Sequence, residues 1–484
     1  MVCVGNAPER VDAERSDRAK EIFSKFICCS DDAAAVKALG ESVRRVSISS
    51  QGEEICSMFH SIHTSDDFQS LFICNYGKSL KWTEYTDRNP APGTALKSEE
   101  MQMVRRNKRT YPETVIKWSI PAGYGVYELD TATGKWYKVP FETVDGAAVF
   151  KTGFEPLQSR MYVASGSVIS AELPGKVDRA FTSCKPLVAA GTSLKYKLSE
   201  KNMLVLDKPE YSVNGDAWQG AEYVLLLDDK LRQMIGAAPR GGTMVQPWCN
   251  SSRRKTGEMQ LKLRYNINVK DIPASGVEFA LENPELYTVT FNGKTVDKSD
   301  TGWWCDLAIR KMHIPGELFV AGANTLELEC SYSNLLPGLE MCYLIGDFGV
   351  ENDTLTTLPE TLEIGDWCKQ RLPNYAGNLD YIIPLENASG VIELGEWRGV
   401  AVEYSINGSA FKLLAWPPYT IDLGETPVSG TLTLRILGHR RNAMGPFYLA
   451  ERPYWTGPAQ FKMYETEERQ LVKCGLLETP MIRK

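Results

Sequence analysis

Val289-Thr290-Phe291-Asn292-Gly293-Lys294 is followed by Trp303-Trp304-Cys305-Asp306-Leu307, and then by Asn324-Thr325-Leu326-Glu327-Leu328-Glu329-Cys330. The same order returns as Val402-Glu403-Tyr404-Ser405-Ile406-Asn407-Gly408, then Trp416-Pro417-Pro418-Tyr419-Thr420-Ile421-Asp422-Leu423, then Gly430-Thr431-Leu432-Thr433-Leu434-Arg435-Ile436. Each copy reads as a strand, an Asn-Gly turn, an aromatic-rich turn, an Asp-Leu step and a closing strand. Asn-Gly marks a type I′ turn because both central residues need φ > 0. A closing strand that alternates apolar and polar residues turns one face to a core and the other to water. Two such units in series predict tandem β-sandwich modules. Modules of this sort hold carbohydrate or brace an enzyme more often than they do chemistry alone.

Upstream of the repeats the pattern is also one of short strands. Glu54 to His60, Gln69 to Asn75, Thr114 to Trp118, Gly125 to Leu129 and Lys135 to Val139 follow one another, with Gly153 to Ala164 closing the region. Short strands spaced by turn residues indicate a sandwich. Residues 171–235 supply further strands, ending in Tyr223-Val224-Leu225-Leu226-Leu227-Asp228-Asp229-Lys230-Leu231-Arg232. Residues 84–110 read as a polar surface loop, and Arg240 to Trp248 as a loop punctuated by glycine and proline. Only residues 12–40 read as helical. Ile22, Phe23 and Phe26 share a face there, Asp31-Asp32 interrupts, and Gly40 is the stop. The expected architecture is all-β, with tandem β-sandwich (jelly-roll, galactose-binding-like) domains. It comprises a helical extension at 1–45, a sandwich at 46–170, and galactose-binding-like sandwiches at 171–355 and 356–484. Asn352-Asp353-Thr354 is the polar linker expected between the last two.

A chain of 484 residues is too long for one core, and suggests about three domains. The formal net charge of −7 argues against a nucleic-acid partner, which calls for a basic patch. Of twelve cysteines only Cys28-Cys29 are close together, no CxxC pair exists, and the chain has only four histidines, so a zinc site has no support. Scattered cysteines suit small buried side chains in a reducing compartment. Met1 to Asn6 lacks the features of a signal peptide, and no apolar run is long enough to span a membrane. The expectation is a cytoplasmic protein with no membrane partner, in which the sequons at Asn250, Asn352, Asn387 and Asn407 are coincidental.

Five phrases occur in a familiar order: Tyr211-Ser212-Val213-Asn214-Gly215-Asp216-Ala217-Trp218, Gly241-Gly242-Thr243-Met244-Val245-Gln246-Pro247-Trp248, Tyr343-Leu344-Ile345-Gly346-Asp347-Phe348-Gly349-Val350, Leu372-Pro373-Asn374-Tyr375-Ala376-Gly377-Asn378, and Gly438-His439-Arg440-Arg441-Asn442-Ala443-Met444-Gly445-Pro446. Together they resemble the C-terminal half of large bacterial glycoside hydrolases of the α-L-rhamnosidase type (family 106 and relatives with family-2-like sugar-binding modules), over most of residues 45–460. The resemblance implies β-sandwich domains that follow a catalytic (β/α)-barrel. A barrel needs about 250 residues of alternating strands and helices, and this sequence shows none. It also implies carbohydrate as the partner, alongside a separate catalytic domain or subunit. No cofactor is expected, although a structural Ca²⁺ is common in jelly-roll sugar modules.

Glycoside hydrolysis needs two carboxylates flanking the scissile bond. Asp347 and Asp366 are the candidates, and a turn-capping role is the competing reading for both. His60, His63, His313 and His439 are too dispersed to mark a nucleophile-base set, and no G-x-S-x-G elbow or phosphate loop is present. Sugar binding needs an aromatic platform with polar side chains beside it. Trp303 and Trp304 qualify in the first copy, near Asp300, Asp306 and Arg310. Strand alternation allows at most one of the two tryptophans to be exposed. The second copy offers Trp397, Trp416 and Tyr419, with Tyr375 and Asn378 in the Pro-Asn-Tyr-Ala-Gly-Asn loop. Arg440, Arg441 and Asn442 form a polar run that could meet a sugar. Core or interdomain packing competes for every aromatic. Three functions follow: a non-catalytic carbohydrate module, a glycosidase with its site in an interdomain cleft, or a protein-assembly module.

Overall fold

The computed structural model describes residues 2–6, 9–12, 14–40, 44–55, 58–75, 109–167, 173–174, 183–240, 255–449 and 457–484. The loop expected at 84–110 falls outside them except for its last two residues, as does Gly241 to Trp248. The chain is mostly β and divides into two compact units, the first reaching residue 180 and the second starting at residue 181.

The first unit opens with a short parallel pair, Val2–Val4 on Ile27–Cys29. This pair splits the helical stretch expected at 12–40 into two helices. Asp17–Phe23 starts at Ser16, and Asp32–Leu39 starts at Asp31, whose carboxylate accepts the Ala34 N–H at 2.8 Å. Side-chain acceptors at those positions satisfy amides that have no partner within the helix. A sandwich follows. One sheet runs in the order Trp136–Lys138, Gly125–Leu129, Ser159–Ser165, Phe68–Asn75, Met58–Thr64. The other runs Glu142–Val144, Ala147–Phe154, Tyr111–Ser119, Val46–Ser50, Glu53–Glu54. Alternate residues such as Leu71, Ile73, Ile116 and Trp118 fill the space between them.

The second unit begins with another two-sheet sandwich. Its five-stranded sheet runs Asn202–Leu206, Cys342–Gly346, Val277–Glu282, Asp306–Ile314, Asp300–Trp304. The facing sheet is built on Glu258–Val269 and Gly322–Ser333, which pair without interruption along their whole length. Thr288–Phe291 adds to one side, while Glu210–Val213 and Thr354–Thr356 add to the other. Asn352 and Asp353, expected as a linker, form the left-handed tip of a hairpin within this sandwich. The segment expected to end in a strand at Tyr223 to Arg232 is instead the helix Val224–Met234. Its buried residues Val224, Leu227, Leu231 and Asp228, Arg232 recur at helical spacing. A run of leucines four to eight residues long fits either structure until a tertiary partner selects one.

The rest of the unit has a core of its own, packed on a seven-stranded sheet and a short pair, Trp397–Arg398 with Gly475–Leu476. Leu379–Glu393 and Thr420–Ile436 are the long central strands of that sheet. In the first of these the buried apolar residues are Leu379, Tyr381, Ile383 and Leu385, then Ala388 and Ile392. The inward set switches from odd to even numbers where the pairing register shifts, between Leu385 and Ala388. An irregularity there re-aims the side chains, so both halves of the strand face the same interior. Cys184–Pro186 and Lys195–Leu198, expected in the middle domain, pair into this last sheet.

Both Asn-Gly turns are present with positive φ: 48° and 76° at Asn292-Gly293, and 51° and 75° at Asn407-Gly408. Each asparagine docks on its closing strand. Asn292 N–H donates to the Thr325 carbonyl and its Oδ1 accepts the Thr325 N–H, both at 2.8 Å. Asn407 makes the same two bonds to Thr431, at 2.8 and 2.7 Å. A third copy stands at Asn214-Gly215, bonded reciprocally to Gln260 at 2.8 and 2.9 Å.

Candidate functional site

Asp300–Trp304 is the edge strand of the five-stranded sheet, and its two tryptophans part company. Trp303 is 52% exposed and Trp304 8%. Trp303 lies directly across from Arg310, and Asp300 across from Met312. Residues two apart share a face, so the indole, the guanidinium and the carboxylate belong to one side of the sheet edge. Met312 on that side is buried; Arg310 and Asp300 lie where the core gives way to solvent. Arg310 ion-pairs with Asp300, whose other oxygen accepts the Gly302 N–H at 2.8 Å. The Arg310 bond, foremost, holds the Asp300 carboxyl below its ordinary pKa. An exposed indole beside a fixed guanidinium-carboxylate pair can stack on the C–H face of a sugar ring and bond its adjacent hydroxyls. Among the described residues no group of three or more His, Cys, Asp or Glu side chains is placed to hold a metal ion, and no helix is long and apolar enough to cross a membrane.

Trp304 points the other way, into a seam between the middle sandwich and the last sheet. Its ring packs on Tyr343 at 4.7 Å, with the Arg440 guanidinium 5.4 Å above it. Arg440 is clamped by both oxygens of Glu200, each at 2.7 Å. The Tyr375 hydroxyl donates to the Asn378 carbonyl at 2.6 Å and accepts the Ser199 N–H at 3.0 Å. Asn378 Oδ1 accepts the Gly438 N–H. The seam thus unites Trp304, Tyr375, Asn378 and Arg440, but as packing. Tyr375 is 1% exposed, so it cannot serve as an open platform. Arg441 is largely buried, and burial pushes its pKa down; its Nη1 finds no partner among the described residues. Asn442 is fully buried, bonding the Val472 N–H and carbonyl at 2.9 and 2.8 Å. Trp397 is buried, edge-on to the half-buried Tyr419 at 5.0 Å. Trp416 alone of that set is well exposed, at 48%. Burial therefore removes Trp304, Tyr375, Trp397 and Asn442 as contacts for an external sugar.

The two candidate catalytic aspartates are apart in role. Asp366 caps the Trp367–Lys369 turn: its Oδ1 accepts the N–H groups of Cys368 and Cys474, both at 3.1 Å. That is the turn-capping reading, and it occupies the carboxylate. Asp347 is exposed and paired with Lys201. It lines a groove of about 580 Å³ together with Tyr196, Ser199, Glu200, Lys201 and Glu360.

No family model matches this chain. No curated protein matches it either. Among solved structures, the chain is similar to a rhamnosidase from Novosphingobium sp. PP1Y, at 13% identity and a TM-score of 0.21, over 64% of this chain and 23% of that one. It is also similar to a GH2 β-galacturonidase from Eisenbergiella tayi bound to galacturonate, at 12% identity and a TM-score of 0.16, over 50% of this chain and 38% of that one. The same enzyme bound to glycerol gives 11% identity and a TM-score of 0.17. The chain spans well under half the length of each. At such identities and TM-scores these likenesses assign neither family nor activity.

Glu200 and Cys474 were not singled out in the sequence, although both hold residues that were. Glu200 lies 240 positions from Arg440, and Cys474 lies 35 from His439. Neither spacing carries a local signal, so only the folded chain reveals the pairs.

Proposed function

We propose that this chain is a carbohydrate-associated β-sandwich module, non-catalytic by itself, with its saccharide site at the Trp303 edge. The supporting observation is the half-exposed Trp303 indole directly opposite Arg310, with Asp300 fixing the guanidinium. Trp304, Tyr375, Asn378 and Arg440 join the middle sandwich to the last sheet and keep that edge in place. In the larger rhamnosidase-type enzymes that the sequence phrases resemble, such a module stands beside a catalytic barrel. The role proposed here is to bind saccharide weakly and support a catalytic partner of that kind. Calorimetric titration with uronic-acid and neutral monosaccharides and their oligomers tests this reading. Trp303→Ala should lower affinity at least ~10-fold, a loss of about 1.4 kcal/mol, while Trp416→Ala leaves it unchanged. Equal affinity in Trp303→Ala and wild type would remove the site.

A glycosidase is the second reading, favoured by the carboxylates of Glu200, Asp347 and Glu360 around one groove. Glu200 and Asp347 are each engaged by a cation, whereas glycoside hydrolysis needs one carboxyl free to give up a proton. Hydrolysis of aryl glycosides by the full chain, abolished in Asp347→Asn, would establish that reading; absence of turnover is the result expected.

A further inference from the structure

The seam and the C-terminal segment bring together two cysteines and a histidine that the carbohydrate reading does not use. Cys474 Sγ lies 3.1 Å from His439 Nε2. Cys368 and Cys474 lie near enough for the charge on one sulfur to act on the other. The Asn442 side-chain amide reaches both sulfurs, at 3.2 Å to Cys368 and 3.8 Å to Cys474, and the Val472 carbonyl faces both, at 3.5 and 3.6 Å. Asp366 binds the backbone N–H of each cysteine. One carboxylate and one amide therefore hold two chain segments, more than a hundred residues apart, with both sulfurs facing the same amide and the same carbonyl.

We propose that Cys368 and Cys474 form a redox-active dithiol, with His439 as the positioning residue that activates Cys474 toward peroxides. His439 Nδ1 accepts the Arg441 N–H at 3.3 Å. The proton of the neutral ring is therefore on Nε2, where it points at Cys474. The Cys474 sulfur is thus the acceptor for the imidazole N–H. Interaction with Cys368 first, and with His439 after it, draws the Cys474 thiol below its ordinary pKa against the opposing effect of burial. The opposite effect raises Cys368, which makes Cys474 the readier of the two to ionise. A thiolate held by hydrogen-bond donors is the reactive form of cysteine.

The chemistry balances with hydrogen peroxide as oxidant. The Cys474 thiolate attacks one peroxide oxygen, the O–O bond breaks, and hydroxide leaves; it takes up the proton that Cys474 had released. Cys474 is now a sulfenic acid. Cys368 sulfur attacks the Cys474 sulfur, the S–O bond breaks, and water leaves with the Cys368 proton. Two thiols and one peroxide become one disulfide and two waters, the two thiols giving up two electrons. Cys368 and His439 are only partly buried, while Cys474 is 1% exposed. In this proposal peroxide reaches Cys474 past the partly buried Cys368 and His439, and Cys368 serves as the resolving thiol. The resulting disulfide would fasten the Trp367–Lys369 turn to the segment that leads into Gly475–Leu476 and its pairing with Trp397–Arg398.

The test is differential alkylation of the full chain, reduced and then treated with limiting hydrogen peroxide, followed by peptide mapping. A cross-linked peptide joining Cys368 and Cys474 should form before Cys184 and Cys305, which are exposed, are modified. Mapping separates it from any product of Cys3 and Cys28, whose sulfurs lie 3.2 Å apart near the N-terminus. His439→Gln should slow formation of the Cys368–Cys474 link about 10-fold, since thiolate reactivity follows its hydrogen-bond donors. Cys368→Ser, a near-isosteric change, should leave Cys474 trapped by a sulfenic-acid reagent. Recovery of both cysteines as free thiols after Cys184 and Cys305 have reacted would overturn the proposal, as would wild-type rates in His439→Gln.

Discussion

Asn292 and Asn407 dock on their closing strands through the same two bonds, yet the sheets around them enclose their cores in different ways. In the middle sandwich the closing strand Gly322–Ser333 keeps a continuous register with Glu258–Val269, and a second sheet covers the other side of the core. In the last sheet the closing strand Thr420–Ile436 is longer, and its pairing slips at Leu385, Ala388 and Gly390. The slips keep buried side chains from both halves of Leu379–Glu393 in one core. Turn chemistry is thus local and repeats with the sequence motif, whereas the mode of enclosure depends on strand length and on where the register breaks. The same contrast separates the aromatic residues. The middle copy offers Trp303 beside a fixed ion pair, while the last copy buries Trp397 and leaves Trp416 on a loop.

The largest effect should come from breaking what only the middle copy has. Asp228 is fully buried and binds the Nε groups of Arg232 and Arg240 at 3.0 and 2.8 Å, the Tyr332 hydroxyl at 2.7 Å and the Leu339 N–H at 2.9 Å. Asp228→Ala leaves buried guanidinium groups without their partner and should cost about 3–5 kcal/mol in chemical denaturation. The pH dependence has a defined sign. Burial alone would raise the Asp228 pKa, but Arg240, Tyr332, Leu339 and Arg232 together hold it below the ordinary value. Its contribution is then fully present above the unfolded-state pKa, about 3.9, and is lost as the pH falls through the lower folded-state value. Asp228→Asn should flatten that acid-side loss; an unchanged slope would assign it to other carboxylates.

Next in size is the split between the adjacent tryptophans. Trp304→Ala opens a cavity against Tyr343 and should cost about 3 kcal/mol or more. Trp303→Ala should change stability by no more than about 0.5 kcal/mol, the usual range for surface positions. Equal costs would contradict the opposite facing of the two rings. The smallest contrast is between the turns themselves. Asn292→Ala and Asn407→Ala each lose a side-chain acceptor for a strand amide and force alanine to positive φ, so each should cost about 2 kcal/mol. Asn292 also donates to the Leu318 carbonyl and to Asn324, in a more buried setting, so its variant should be the less stable of the two. A larger loss at Asn407 would show that the last sheet relies on its turn more than the sandwich does.

Much of this was legible where the signal is local. Asn-Gly needs positive φ whatever surrounds it, and alternation through Trp303-Trp304 forbids both rings from sharing a face. The sequence reads as a strand where the helix Val224–Met234 forms, because Leu225, Leu226 and Leu227 satisfy both periods. Its i, i+4 pair, Asp228 with Arg232, was the clue within the sequence. The parity switch in Leu379–Glu393 is set by its neighbours Thr420–Ile436 and Met481–Arg483, so no periodicity count along one strand could place it. Tyr375, Arg440 and Asn442 stand out in the sequence as polar or aromatic residues in a loop-rich region, and they do converge. Their partners Glu200, Ser199 and Val472 are remote in sequence, and those partners make them a seam.

The central claim is that the Trp303 edge binds saccharide, and ligand-detected NMR tests it most directly. A panel of neutral and acidic sugars is mixed with the full chain, with Trp303→Ala and with Trp416→Ala. The account predicts saturation transfer to at least one sugar in wild type and Trp416→Ala, and its loss in Trp303→Ala with the fold intact by circular dichroism. Transfer that persists in Trp303→Ala, or no transfer from any protein to any sugar, would contradict it.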